Sequence, residues 1–233
     1  MRPILKLVVI VLALSSSSSL QAQRSAKQLL NAVYSKMIMA KDYSVQANIK
    51  VDLPFVKMLP IDAKIYFKQK DKFKVESKSI AIVPRQGFDQ ITKMLTDTSS
   101  FDALISGTEM IKQDQATIIN VIPLSDTSDL ILGKLWIDVK RNVVLKSQLT
   151  TKSNGTILTE YIYGAQINYG LPDQMIFTVD VKKFKIPKGV VADINNTKSA
   201  PEDKTKDPKK GKIYIKLTNY QVNKGIADTV FKK

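Results

Sequence analysis

The chain has 233 residues, no cysteine, no histidine and a formal charge of +15. Without cysteine an exported chain has neither a disulfide framework nor a cysteine-borne lipid anchor, so the fold must rest on a core, for which this length suffices. The missing histidine and cysteine remove the commonest general base, the commonest nucleophile–base pairs and almost every zinc site.

The first residues point to export. Arg2 and Lys6 form a basic start, Leu7–Leu14 (LVVIVLAL) is an apolar run followed by five serines, and Leu20-Gln21-Ala22 is a small-residue exit. This pattern predicts a signal peptide over residues 1–22, cut after Ala22 or Gln23. A short membrane anchor is the rival reading, but the run is too short to span a bilayer. Loss of Arg2 and Lys6 lowers the charge to +13. That excess favours anionic partners such as acidic polymers or an anionic membrane surface, while export argues against nucleic acid.

A helix follows. Ser25 and Gln28 stand in capping-box spacing, and Ala26, Leu29, Leu30, Val33, Tyr34 and Met37 form one apolar stripe extending to about Ala40. From Tyr43 the period changes to two. Ser44–Asp52, Ile61–Lys68 and Lys72–Ser77 alternate apolar and polar residues, with Ile80–Val83 a candidate fourth strand before Pro84. Short turns between them predict an antiparallel meander.

Residues near 85–106 predict a helical excursion. Phe88, Ile91, Met94 and Leu95 share a helical face, and Phe101, Leu104 and Ile105 make a second apolar cluster. Strands resume at Ala116–Ile122, Leu130–Val139, Val143–Thr150, Thr156–Tyr163 and Gln174–Phe184, with Asn154-Gly155 a strong hairpin signal. Pro187–Gly211, rich in Lys, Asp, Asn and Pro, reads as a flexible insertion. Lys212–Tyr220 is one more alternating strand, so the insertion lies inside a single domain over residues 23–233. The expected fold is mainly β with α. About nine or ten antiparallel strands would curve into an incomplete barrel, with the N-terminal helix and short helices covering its concave side.

Catalytic motifs are missing: no S-x-x-K, G-x-S-x-G, Walker or dinucleotide fingerprint stands out. Asp126–Asp129 lacks the glycine and distal glutamate of a calcium loop and reads as a plain turn. Glu76, Glu109 and Glu160 lie on predicted strands, where a carboxylate pair for glycoside hydrolysis remains the weaker alternative to solvent-facing positions. No catalytic residue, metal or cofactor is assigned.

Two segments carry apolar residues that local structure does not explain: the loop Leu53–Pro60, with Phe55, Val56, Met58 and Leu59, and the 88–105 stretch. Loops are normally polar because their backbone faces water. Either these segments cover the core, or they gate a cavity for an apolar ligand.

Several motifs resemble the LolA/LolB-like family of periplasmic lipoprotein carriers. They are the first helix with Leu29-Leu30 and Val33-Tyr34, the strand Val45–Ile49, and the hairpin Ile65–Glu76. Leu135–Asp138, Val143–Leu145 and Asn154-Gly155 with Tyr161 or Tyr163 follow, then Leu171–Phe177, in which Met175 replaces a phenylalanine. The resemblance implies an unclosed barrel with helices over its mouth and an apolar cavity for lipid or lipoprotein acyl chains. It also implies a periplasmic location and membrane-bound donor and acceptor proteins. The family's lid-holding arginine has no match, since the corresponding strand offers only Lys50. Phe55, Met58, Phe88, Ile91, Met94 and Leu95 are the candidate cavity or lid residues. A non-catalytic envelope sensor of the same fold and, further off, a surface hydrolase are the alternatives.

Overall fold

Ser25 starts the first helix by a reciprocal cap. Its Oγ accepts from the Gln28 N–H at 3.2 Å, and Gln28 Oε1 accepts from the Ser25 N–H at 2.8 Å. The helix, α1, runs Ala26–Met37 and buries Ala26, Leu29, Leu30 and Val33. Its stripe ends earlier than Ala40, because Met39 and Ala40 donate to Lys36 and Met37 in a tightened last turn. The computed structural model describes residues 24–53, 56–69, 72–78, 90–153, 155–180 and 210–232.

The strands are β1 (Asp42–Leu53), β2 (Val56–Lys57), β3 (Ile61–Lys68), β4 (Lys72–Ser77), β5 (Phe101–Ile111) and β6 (Asp114–Pro123). After these come β7 (Leu130–Asp138), β8 (Val143–Thr151), β9 (Gly155–Tyr163), β10 (Pro172–Asp180) and β11 (Lys210–Val222). A second helix, α2 (Gln90–Thr96), precedes β5, and short 3₁₀ turns occupy Ile167–Tyr169 and Asp228–Phe231. All strands join one antiparallel sheet of order β4-β3-β1-β11-β10-β9-β8-β7-β6-β5, with the two-residue β2 paired to β1. No described pairing joins β4 to β5, the two ends of this order, and α2 lies between them in sequence. The expected incomplete barrel is the observed fold; among the described residues it has eleven strands, two of which the periodicity does not predict, the two-residue β2 and the long β5.

One expectation is corrected. The helical excursion near 85–106 ends at Thr96, and Phe101 opens a strand of eleven residues. Asp97 causes the change of course: its carboxylate accepts from the Ser99 N–H at 3.0 Å and the Ser99 hydroxyl at 2.6 Å, bending the chain out of the helix. Pairing with β6 then fixes Phe101, Ala103 and Ile105 at inward positions, whereas Leu104 points outward and is 60% exposed. Strand β11 starts at Lys210, slightly inside the expected insertion. Ile80–Val83, Phe88 and most of 187–211 fall outside the described residues.

Beneath and beside the helices the interior divides into two clusters, and a third, of Ala116, Ile118, Trp136, Val143 and Leu145, lies on β6–β8. One joins α1 and α2 to β5–β8 through Leu29, Leu30, Ile91, Leu95, Ile119, Leu135 and Ile137. The other lies on β1, β3, β10 and β11 and holds Val45, Ile49, Ile65, Phe177, Ile213 and Ile215. Burying each such side chain is worth about 1.5–3 kcal/mol. Tyr161 borders both clusters.

Candidate functional site

Between these clusters lies a cavity of about 560 Å³, within the range of roughly 300–1,000 Å³ usual for small-molecule sites. Helix α1 forms its roof with Val33, Tyr34 and Met37, and Ile91 and Thr92 of α2 stand beside them. The sheet forms the floor through Tyr43, Phe67, Val144, Met175 and Tyr220. The cavity reaches the surface among the exposed residues Ile38, Gln69, Thr96 and Asp97. Asp97 is the one charged side chain among the described residues that line it.

Tyrosine dominates the wall. Six of the chain's eight tyrosines, at positions 34, 43, 161, 163, 169 and 220, line this space. At least three have hydroxyl partners in the protein. Tyr163 donates to the Val144 carbonyl at 2.9 Å, Tyr220 donates to the Pro172 carbonyl at 2.7 Å, and Tyr161 shares a 3.2 Å hydrogen bond with Ser147. These bonds hold the rings to the strands behind them. Tyr43 stacks on Phe67 with ring centroids 5.1 Å apart and meets Tyr220 at 5.9 Å.

Burial acts on the tyrosine hydroxyls around this space. Desolvation pushes the Tyr161 hydroxyl up to about 12, and it also raises Tyr163 and Tyr220. Yet Tyr161 and Tyr163 are only half-buried by surface accessibility. Both rings line the cavity.

The turn between β7 and β8 holds one rim. Asp138 Oδ1 accepts from the N–H groups of Lys140 and Arg141 at 2.9 and 3.0 Å, and its other oxygen pairs with the Arg141 side chain. Desolvation works against the Asp138 carboxylate, but these hydrogen bonds and the guanidinium outweigh it and hold the group below the usual range. Lys36 of α1 donates to the Arg141 carbonyl at 2.5 Å and so ties the helix to this turn. Asn142, in the left-handed region at φ 52°, follows and lines the cavity. On the opposite side Gly170 (φ 65°) lets its turn approach α1; a Cβ there would lie 3.4 Å from Met37.

Of the six candidate residues, Ile91 alone among those described lines the cavity. Met94 and Leu95 pack into the α1–α2 cluster, Met94 Sδ filling the space beside Gly133. Met58 packs, partly buried, against the β1–β11 cluster, and its neighbour Leu59 is 86% exposed. Phe55 and Phe88 lie outside the described residues. The tyrosines were the missed signal: a tyrosine on an inward strand position needs a polar partner, which marks an interior that is not solidly apolar.

None of Glu76, Glu109 and Glu160 lines the cavity. Glu109 accepts from Trp136 Nε1 at 2.6 Å on the outer face, and Lys146, the cross-strand partner of Glu160, lies 3.8 Å from it. Glu76 pairs with Lys74 on a distant strand. Asp126–Asp129 forms a turn in which the Ser128 N–H donates to Ser125.

The whole architecture superposes on a LolA superfamily protein from Nitrosomonas europaea with a TM-score of 0.57, covering 91% of this chain and 99% of that one. The chain has a LolA-like fold. Sequence identity is 10%, so the likeness is one of fold. A DUF1329 family protein from Desulfovibrio piger matches with a TM-score of 0.53 at 11% identity, covering 90% of this chain and 98% of that one. A domain assigned to an outer membrane lipoprotein-sorting protein of Vibrio parahaemolyticus matches at 0.51 and 8% identity, covering 88% and 95%. No protein-family model matches the sequence, and no curated protein matches it. No described helix is long and apolar enough to cross a membrane.

Proposed function

We propose that the protein is a periplasmic, non-catalytic binder and carrier of lipid or lipoprotein acyl chains, exported by a signal peptide over residues 1–22 that is then removed. The observation that carries this reading is the tyrosine-rich, largely apolar cavity of about 560 Å³ beneath α1. Each methylene hidden from water is worth about 0.8 kcal/mol, so about a dozen would gain roughly 10 kcal/mol. No such chain crosses an aqueous space unescorted.

The rim supports the same reading. Ile38 and Met39 at the end of α1 are 40% and 53% exposed, and Ile38 borders the opening. Apolar side chains at a mouth suit a ligand that slides out of a membrane or a partner protein. Tethered tyrosines give the wall a fixed shape while the helix end remains the lighter side. Ile91 is the cavity residue carried forward from the sequence. Phe55, Met58, Phe88, Met94 and Leu95 remain proposed cavity or lid residues.

Native mass spectrometry of the mature protein, gently purified from an exporting host, tests the reading. A lipid-sized mass increment that detergent removes is the expected result. Repeated absence of any increment, with no displacement of a fluorescent fatty acid, would overturn carriage. Recovery of a protein partner from such lipid-free material would favour the envelope-sensor alternative.

A further inference from the structure

The outer face of the β1–β11–β10 ladder carries a feature the cavity does not use. Side chains alternate along strands, so the residues between the buried Ile49, Val51, Ile213, Ile215 and Met175 point away from the core. Register places Asn48, Lys216 and Gln174 in one cross-strand row, and Lys50 beside Tyr214 in the next. These five residues line a basin of about 250 Å³.

Its charge is unbalanced. Lys50 and Lys216 sit diagonally across β1 and β11, and neither has an ion-pair partner among the described residues. The nearby acids bond other groups, Asp62 through the basin's own Asn48, and none is in ion-pair contact with Lys50 or Lys216 among the described residues. Asp62 accepts from Asn48 Nδ2 at 2.8 Å, Glu76 pairs with Lys74 at 3.1 Å, and Asp228 pairs with Lys68 and Lys72 at 2.7 and 2.8 Å. Asp52 lies opposite Lys212, one row beyond Lys50 and Tyr214 on the side away from Lys216. Two like charges in neighbouring rows of a sheet repel, and no core contact requires either of them.

The donor set names the ligand. Two ammonium groups, the Gln174 amide and the Tyr214 hydroxyl all offer protons. A phosphate presents several acceptor oxygens around one centre, and lysine is a common point-charge partner for it. We propose that this outer basin binds a phosphate group, the chemistry shared by an anionic phospholipid headgroup and free phosphate. The basin is open and lies on the face opposite the cavity, so the proposal is independent of acyl-chain carriage.

The test uses the mature full chain in two arms: titration calorimetry with inorganic phosphate, and cosedimentation with phosphatidylcholine vesicles with and without phosphatidylglycerol. The variants are the double substitution K50Q/K216Q and a charge-matched control, K140Q/K224Q, at exposed lysines away from the basin. Expected is binding in at least one arm that K50Q/K216Q weakens roughly thirtyfold, the share of two lysines near an anionic leaflet, while the control stays within about twofold. A response to inorganic phosphate alone identifies the free ion, and a response only to phosphatidylglycerol vesicles identifies the headgroup. No binding by the wild type in either arm, retention by K50Q/K216Q, or an equal loss in the control would overturn the proposal.

Discussion

The two halves of the interior are built from the same kinds of strand and differ in what the helices do above them. Over β5–β8, α1 presses Leu29 and Leu30 onto Ile119, Leu135 and Ile137, and α2 adds Ile91 and Leu95. Towards β1, β9, β10 and β11 the helix has run out, and its last residues stand over a space lined by Tyr43, Tyr161, Tyr163 and Tyr220. Helix length sets the contrast. Twelve residues at about 1.5 Å each span roughly 18 Å, too little to cover a sheet of this breadth. A hollow is what remains when a short, firmly capped helix is placed on a wide curved sheet.

The largest effect is expected on the packed side. Leu30 is fully buried, so Leu30→Ala should destabilise the fold by about 2–5 kcal/mol in chemical denaturation. A loss below about 1 kcal/mol would mean that α1 is not bearing on the sheet as described.

Second comes the hollow side at high pH. The folded state holds Tyr161 up to about 12, against about 10 in an unfolded chain. Its neutral form is therefore favoured by folding: the stability is complete below pH 10 and is lost as pH rises towards 12. For Tyr161 alone this is on the order of 2–3 kcal/mol. Tyr163 and Tyr220, also raised, act in the same direction. Urea midpoints measured from pH 9 upward should fall steeply, in step with tyrosinate absorbance.

Filling the space separates the two halves directly. Val33 sits at the border, buried and lining the cavity. Val33→Phe should weaken binding of a fluorescent fatty acid at least tenfold, about 1.4 kcal/mol, and change stability by less than about 1 kcal/mol. Equal affinity in the variant would place the ligand elsewhere.

Smaller again is the cap. Ser25→Ala removes the side-chain half of the reciprocal bond at α1 and should lower stability by about 1 kcal/mol. Because the helix roofs the cavity, the same variant should speed fatty-acid release, read by stopped-flow displacement.

The smallest effect concerns the C-terminal turn. Lys68 and Lys72 hold the Asp228 carboxylate at about 2, well below its ordinary value. That contact is present above about pH 4 and is lost as pH falls towards 2. NMR shifts of residues 228–231 should move in this window before the core unfolds. Unchanged shifts would show that the turn is docked by other contacts.

Legibility followed the range of the signal. The capping box, the alternation of Ile61–Lys68 and the inward set Met175, Phe177 and Val179 are local, and each took its predicted place. The stretch after Thr96 was misread because its spacing fits a helix for one turn, whereas pairing with β6 is a long-range contact. The cavity wall was the least legible part. Apolar excess singled out Met58 in a loop and Met94 on a helical face, and both are partly buried against the core clusters, whereas the tyrosines that line the cavity were not singled out.

From the sequence alone follow the strand periods, the capped first helix, the absence of histidine and cysteine, and the kind of fold these features support. They depend on neighbours two to four residues apart, which chemistry and backbone geometry constrain directly. The hollow and the outer basin came only with tertiary structure. Pairing β1 with β11 brings Tyr43 close to Tyr220 on the inner face and Lys50 close to Lys216 on the outer. Residues more than 160 positions apart become neighbours through the register of one ladder, which no local pattern encodes.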